Sequence, residues 1–501
     1  MKNNLTMKRL FFAGLIFAGI SSCTNLDETS LDGTIQSESQ GGTVNTGAFL
    51  TTASNGLREF QNQGTMFSMG EMTSDALVGP TRGGDWDDNG ALRQLHTHTW
   101  DPLHIDVKNA WNSLLSSIYA CNQVIYNNGT ATQITQARFL RAFFYYHVVD
   151  IYGQAPYRLQ GSDQKAEALV YSRPEATAFC ISELEAILST LPARTVGDPS
   201  AISKDAAHFL LAKLYLNKSI FDGTSTFAAA DMNKVVLNVN ALTNTLAPDY
   251  WDNFKPSNNT SNELVFTSKN IAGGAGGNMQ ARWRMGAHYN QTPGGWNGFS
   301  TVAEYYNRFT PTDARAKNAS PYMISNFGNP AGYQVGQQFA PGGVTPLTDR
   351  NGAPLIFTPT VTMITGGTTL ETAGIRGLKY IPDASNINSP ENDYVLMRYS
   401  DALLMKAEAI LRGGTGSAGT VLADLATRAG SAAAPNTLDG IYAERGRELW
   451  WEGWRRNDMI RFGKFLNQKA LKPYVSDAKY SLFPIPAGAL LNPNIKQNPG
   501  Y

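Results

Sequence analysis

The chain has few cysteines, which excludes a fold built on a disulfide framework. Only three occur in 501 residues, whereas disulfide-stabilised secreted folds place more of them in far shorter chains. Cys121 and Cys180 lie among helical apolar residues, so we expect buried free thiols, with a bridge between them as the alternative. The fold must then depend on a hydrophobic core, which a 42% apolar content can supply at this length.

An excess of either charge is also missing, which argues against a nucleic-acid partner. Lysine and arginine total 41, and aspartate and glutamate total 41. Removal of residues 1–22 would take away three basic residues and no acidic ones, leaving 38 basic against 41 acidic side chains. Such a chain has no bulk positive charge with which to attract nucleic acid.

No apolar run reaches the roughly 20 residues of a bilayer span. The longest, from Leu10 to Ile20, follows Lys8 and Arg9 and precedes small residues that end at Cys23. A basic start, a short apolar core and a cysteine after small residues are typical of a lipoprotein signal, with a transmembrane helix as the alternative. We therefore predict a signal peptide over residues 1–22 and a lipid anchor at Cys23.

The remaining chain divides by composition. Residues 23–45 are polar and predict a flexible tether, and residues 46–501 predict a single domain. Apolar residues recur at helical spacing over about 107–246 and 394–466, whereas Gly and Pro crowd about 250–390. We predict a mainly α fold, in which a tetratricopeptide-repeat-like helical scaffold carries a large loop-rich insertion with short β-strands.

Signals for hydrolytic catalysis are absent. No Gly-x-Ser-x-Gly nucleophile elbow occurs, and the glycine-rich GGAGGN stretch lacks the lysine of a phosphate loop. Glu444, Glu448 and Glu452 form a carboxylate row on a helix predicted over 441–456, but each has an arginine within one turn. For Glu452 these partners are Arg455 and Arg456. An ion-pair lattice is therefore a better interpretation than a catalytic pair.

Metal-ligand patterns are incomplete, and we predict neither a metal nor another cofactor. Residues 85–90, DWDDNG, match the opening of a calcium loop, but His96 stands where the bidentate glutamate belongs. If residues 95–99 are extended, His96 and His98 share one side and a zinc pair becomes possible. No third ligand is spaced with them or with His104, so hydrogen bonding within the fold is the preferred interpretation.

Aromatic and polar residues alternate in two glycine-rich loops. Arg82 and Asp85 flank Trp86 with directional hydrogen-bonding groups, and Trp296 stands in GGWNG within the insertion. A sugar ring, with an apolar face and a rim of hydroxyls, needs this combination. The alternative for Trp86 is a ring that packs inward and plugs the loop.

Four separated motifs and the lipid signal resemble one family. The motifs are ARFLRAFFYYHVVDIYGQAPY at 137–157, DYVLMRYSDALLMKAEAILRGG at 393–414, ERGRELWWEGWRRNDMIRFGKF at 444–465 and the terminal LFPIPAGALLNPNIKQNPGY. Together they look like the SusD/RagB outer-membrane lipoproteins. The resemblance implies the same helical scaffold with a ligand-binding insertion, and an outer-membrane lipoprotein that caps a SusC-like TonB-dependent transporter and delivers oligosaccharides or, less often, peptides.

The resemblance also carries over to single residues. Cys23 takes the anchor position, and the short CTNLDE stretch resembles the acidic signal for display at the cell exterior. The segment 73–90 looks like a loop that lines the ligand cavity, which adds Asp75 to the candidates Arg82, Asp85 and Trp86. The remaining ligand-binding candidates lie further along the chain and are Trp296 and Arg376.

We therefore predict a glycan-binding lipoprotein of the outer membrane that is not an enzyme. A peptide-capturing lipoprotein of the same family remains an alternative, because the insertion also offers short strands for backbone pairing. A secreted glycoside hydrolase is the other alternative, which requires two carboxylates that flank one glycosidic bond.

Overall fold

The computed structural model describes residues 44–163, 165–224, 226–366 and 368–501. The predicted signal peptide, Cys23 and the tether up to residue 43 lie outside the described residues. Thr46 to Tyr501 form one compact unit. Within the described ranges no helix combines the length and the hydropathy of a bilayer span.

The unit is mainly helical, as predicted, and its long helices pack in chain order. Each helix from α4 to α7 contacts the next one, which confirms the tetratricopeptide-like stack. The α-helices are α1 (Thr46–Asn55), α2 (Thr65–Phe67), α3 (Ala91–Thr97), α4 (Ile105–Tyr126), α5 (Ala131–Tyr152), α6 (Arg173–Ile187), α7 (Lys204–Phe221), α8 (Ala229–Asn240), α9 (Ala281–Arg284), α10 (Ala303–Tyr306), α11 (Pro321–Phe327), α12 (Tyr399–Leu411), α13 (Val421–Ala429), α14 (Leu438–Glu448) and α15 (Arg455–Arg461).

Local sequence sets the ends of these helices. At the start of α5 the Thr130 side chain accepts a hydrogen bond from the backbone of Gln133, whose own side chain accepts from the Thr130 backbone N–H. This capping box satisfies donors that the first helical turn leaves free. Gly153, at φ +72°, ends α5 in the left-handed conformation that glycine adopts without steric cost.

Short strands decorate the scaffold and the insertion, as predicted. In the described part of the chain, four small antiparallel sheets pair β1 with β2, β3 with β9, β5 with both β4 and β8, and β6 with β7. The β3–β9 pair fastens the start of the insertion to the strand that leads into α12. The strands are β1 (Gln154–Tyr157), β2 (Leu169–Ser172), β3 (Leu264–Ser268), β4 (Lys317–Asn318), β5 (Ala331–Gln334), β6 (Gly336–Gln337), β7 (Ile356–Phe357), β8 (Arg376–Leu378) and β9 (Tyr394–Arg398).

The helix predicted over 441–456 is wrong, because the chain turns between α14 and α15. Trp451 and Gly453 adopt positive φ values of 56° and 85°, which no α-helix accommodates. The turn carries Trp450 and Trp451 into the core, where they are 0% and 1% exposed. Burial of two indoles outweighs the helical propensity of the intervening residues.

The predicted ion-pair lattice is present, but only Glu444 pairs within one helical turn, with Arg447, whereas Glu448 and Glu452 have distant partners. Glu448 binds Arg398 at 2.6 Å. Glu452 binds Arg398 at 2.7 Å, and not the predicted Arg455 and Arg456. The turn before α15 removes the helical spacing on which that prediction rested. Cys121 and Cys180 are buried free thiols, as predicted.

Candidate ligand-binding site

Three partly exposed rings from two loops form what we call the aromatic platform: Trp86, Tyr289 and Trp296. The ring centroids of Trp86 and Trp296 are 6.4 Å apart, with their planes tilted by 46°. The Trp86 indole Nε1 donates a hydrogen bond to the Trp296 backbone oxygen at 2.6 Å. This bond fixes one loop to the other and leaves the rings partly open to solvent.

Gly298 allows the Trp86 ring to lie against the loop that carries Trp296 and Gly298. A Cβ atom at this position would stand 2.4 Å from the Trp86 Cε2 atom. Trp86 also contacts the buried Phe299, with ring centroids 5.2 Å apart. Trp86 is therefore partly packed and partly exposed. It is not fully turned inward as the plug alternative requires, and only part of its ring is open to a ligand.

Polar groups stand beside the rings. The Tyr289 hydroxyl donates to Asp85 Oδ2 at 2.5 Å, and Arg350 Nη1 donates to the same oxygen at 3.0 Å. The Arg350 guanidinium lies 4.5 Å from the Tyr289 ring centroid. The side chains of Asp85 and Arg350 are 43% and 44% exposed, so both can also hydrogen-bond a bound molecule.

A buried carboxylate holds Arg350 in place. Glu371 accepts from the Arg350 backbone N–H at 3.0 Å and from His288 Nε2 at 2.9 Å. Burial raises the pKa of Glu371, but these hydrogen bonds and the Arg350 charge outweigh it and lower the pKa below its ordinary value. Burial lowers the pKa of His288 despite the carboxylate. The support is therefore an anionic glutamate between an arginine and a neutral imidazole.

Arg82 and Arg376 lie beneath the platform and not on it. Both are 1% exposed and donate to backbone oxygens. Arg82 Nη1 donates to the Ala373 oxygen at 2.8 Å, and Arg376 Nη1 donates to the Gly374 oxygen at 2.8 Å. Burial lowers the pKa of Arg82 to about 9. Their positions do not fit direct ligand contact, and their hydrogen bonds brace the loops that carry the rings.

Asp75 lies in a different place, in a cleft of about 410 Å³. Arg455 Nε and Arg308 Nη2 each donate to its carboxylate at 2.7 Å. Burial raises the pKa of Asp75, but the Arg455 and Arg308 charges prevail and lower it to about 2. The structure therefore brings Asp85, Trp86 and Trp296 together and leaves Asp75 apart from them.

The three clustered histidines are bonded within the fold, as preferred from the sequence. Residues 91–97 are helical and not extended, so the geometry proposed for a zinc pair does not form. His96, His98 and His104 are buried, and each contacts a backbone oxygen through Nε2 at 2.8–3.0 Å. The described residues contain no group of three or more potential metal ligands.

Sequence reasoning missed Arg350, Glu371 and His288 as parts of this site. Arg350 lies in a DRNG turn, where a charged residue next to Asn-Gly could have been noticed as a loop-tip candidate. Glu371 and His288 carry no such signal, because only the folded insertion brings them within 2.9 Å of each other.

The arrangement can bind a ring and orient hydroxyl groups. Partly exposed aromatic faces provide apolar contact, while Asp85 offers acceptors and Arg350 offers donors. The two groups already bond each other, and Tyr289 bonds Asp85 as well. An incoming hydroxyl would join this network at the edge of the rings.

Comparison with known proteins places the chain in a family. The model of the SusD family matches residues 237–501. The starch-binding protein SusD of Bacteroides thetaiotaomicron is 25% identical over 99% of both chains. A SusD superfamily protein from Parabacteroides distasonis superposes with a TM-score of 0.70 at 18% identity, over 91% of this chain and 98% of that one. Surface glycan-binding protein A from Bacteroides thetaiotaomicron, solved with laminarihexaose, gives 0.66 at 21% identity over 90% and 98%. The chain belongs to the SusD family.

Proposed function

We propose that this protein is a non-catalytic lipoprotein of the cell surface that binds an oligosaccharide on the aromatic platform. The observation that carries the proposal is the hydrogen bond that fixes Trp86 beside Trp296, with Asp85 and Arg350 at the ring edges. Relatives described as a starch-binding protein and as a glycan-binding protein solved with laminarihexaose support an oligosaccharide as the ligand class.

The proposal includes anchoring and delivery. Cys23 would be acylated and hold the protein to the outer membrane, facing the exterior. The bound oligosaccharide would then pass to a SusC-like TonB-dependent transporter, as the family resemblance implies. The site suits this role because an open platform with few hydrogen-bonding groups gives moderate affinity, so the ligand can leave.

Isothermal titration of the purified protein against a panel of oligosaccharides tests the binding. We expect at least one glycan to bind and Trp86→Ala to weaken it by about fivefold or more, because the variant loses a stacking surface. Tyr119→Ala removes an exposed ring from α4 and should leave the affinity unchanged.

Three results would contradict the proposal. Trp86→Ala without effect on any responsive glycan would remove the platform from the site. Binding of peptides and of no glycan would favour the peptide-capturing alternative. New reducing ends after incubation with the bound glycan would indicate a hydrolase.

A further inference from the structure

A second cavity lies in the helical scaffold, on elements that contribute nothing to the aromatic platform. It has a volume of about 370 Å³ and lies among α4, α5, α6 and the β1–β2 hairpin. This volume falls within the roughly 300–1,000 Å³ of small-molecule sites. The platform residues are absent from its walls, so any ligand here would be a separate one.

The cavity has an excess of positive charge. The described residues that line it include three arginines, Arg138, Arg141 and Arg158, and one carboxylate, that of Glu183. Arg138 binds one Glu183 oxygen at 2.8 Å, and Arg141 binds the other. Arg158 donates to the backbone oxygens of Asp163 and Ala166. The lining residues thus carry three cations and one anion.

These charges are held in a partly dry environment. Arg141 is 7% exposed and Glu183 is 6% exposed. Burial lowers the pKa of Arg141, but Glu183 outweighs it and raises the pKa above its ordinary value, so the guanidinium stays charged. Arg138 remains 27% exposed and can turn its remaining donors to an incoming anion. Guanidinium groups in such places bind carboxylates in a two-pronged geometry.

Aromatic rings line the cavity beside the arginines. Tyr157 and Tyr171 stack with centroids 3.7 Å apart and planes 8° from parallel, and Tyr171 stacks on Phe179 at 5.4 Å. All three are only partly buried. Asn122 and Gln160 add amides to the same lining. Partly exposed aromatic rings, amides and the arginine donors that Glu183 does not use together match a sugar ring that carries a carboxylate.

We infer that this cavity is a second carbohydrate site, specific for a uronic-acid sugar. The carboxylate of the sugar would accept hydrogen bonds from Arg138 and Arg158, and its ring would lie along the tyrosines. Glu183 would keep Arg138 and Arg141 in position. The inference stands apart from the proposed function, because a sugar here needs no contact with the platform.

Titration with methyl β-D-glucuronide and methyl β-D-glucoside tests it, because the two differ only in the carboxylate. We expect the glucuronide to bind at least about tenfold more tightly, since charge-assisted hydrogen bonds to arginine are the strong ones. Its affinity should fall as salt is added. Trp86→Ala should change neither value.

Arg138→Gln should weaken glucuronide binding by about tenfold and leave the glucoside unaffected. Arg194→Gln is the matched control, because this arginine lies at the surface near Thr243 and away from the cavity. Thermal unfolding checks that Arg138→Gln folds. If it does not, Arg158→Gln replaces it, since Arg158 has no carboxylate partner among the described residues.

Each of the following results would overturn the inference: no glucuronide binding up to about 10 mM, equal affinity for the glucoside, or unchanged glucuronide affinity in a folded arginine variant. Inorganic sulfate that competes as strongly as the glucuronide would show that the cavity takes an anion without recognising a sugar, and would overturn it as well.

Discussion

Gly298 sets the position of the principal platform ring. Its missing side chain lets the Trp86 indole reach the Trp296 backbone oxygen, and a Cβ atom would overlap Trp86 Cε2 at 2.4 Å. Trp86 itself is held at φ +63°, a conformation that is costly for a bulky residue. Strain of this kind is retained where neighbouring contacts over-determine it, and such positions concentrate at ligand sites.

Gly298→Ala should therefore displace Trp86 and weaken glycan binding. We expect an affinity loss of about threefold to tenfold, because the stacking geometry and the indole hydrogen bond are both disturbed. Titration with the glycan that responds in the panel measures it. Gly84→Ala, in the loop that carries Trp86 and with open space around its Cβ position, is the control and should bind like the parent. Equal affinity of the two variants would contradict this role for Gly298.

Single site residues were only partly predictable from the sequence. Trp86, Asp85 and Trp296 are predicted from the sequence because aromatic residues among Gly, Asn and Asp indicate a polar-aromatic loop, and the structure brings the three together. Arg82 belongs to the same loop, yet its side chain turns inward to backbone oxygens. Loop composition predicts that a loop is unusual, but the direction of each side chain depends on contacts more than 200 residues away.

At the scale of elements, buried ion pairs join the insertion to the second helical block. Glu448 on α14 binds Arg398 at the end of β9 at 2.6 Å and Arg315 in the insertion at 3.0 Å, and it also binds Arg428 on α13. All four side chains are at most 5% exposed. The arginines keep Glu448 ionised. Burial raises the pKa of Glu448, but the Arg428, Arg398 and Arg315 charges lower it well below its ordinary value.

Glu448→Gln should destabilise the fold strongly. It leaves three buried guanidinium groups short of one negative charge, which costs about 3–5 kcal/mol in comparable sites. Chemical denaturation monitored by circular dichroism gives the change in the free energy of unfolding. Glu185→Gln breaks an exposed pair with Lys234 at 3.7 Å and should cost less than about 1 kcal/mol. Similar losses in both variants would contradict a structural lattice.

Element boundaries show where sequence patterns stop being sufficient. The long helices were predictable, because capping residues and apolar spacing agree within each segment, as at Thr130 and Gly153. The break after Glu448 was not predictable, because the local sequence ELWWEGW is compatible with a helix. The helix ends there because Trp450 and Trp451 are buried in the core. A tertiary contact decided that boundary against local propensity.

At the scale of the whole molecule, Glu71 joins regions far apart in the chain. Its carboxyl oxygen accepts the backbone N–H of Gly453 at 2.7 Å, across 382 positions. Glu71 is 0% exposed, and burial raises its pKa to about 8, although the Gly453 hydrogen bond and the Arg455 charge oppose the shift. The folded protein therefore holds a proton there that the unfolded chain releases above its ordinary pKa of 4.5.

The free energy of unfolding should reflect this proton. Between about pH 4.5 and pH 8 the folded state binds one proton more than the unfolded chain, so stability falls as the pH rises and the contribution levels off above pH 8. Glu71→Gln cannot ionise and should lose this slope, which is up to about 1.4 kcal/mol per pH unit. Denaturation at several pH values, compared with the exposed Glu167→Gln, measures it. A parallel pH dependence in Glu71→Gln and the parent would refute the prediction.

The pairing of Trp86 with Trp296 gives the protein an optical reporter at its proposed site. Two indoles 6.4 Å apart are close enough for their electronic transitions to couple, and both remain in partial contact with water. The ultraviolet absorption of this pair would change when a bound molecule displaces water from the rings, so that binding could be followed without an added dye. Most other tryptophans are shielded from such changes, being at most 4% exposed: Trp100, Trp111, Trp251, Trp283, Trp450 and Trp451.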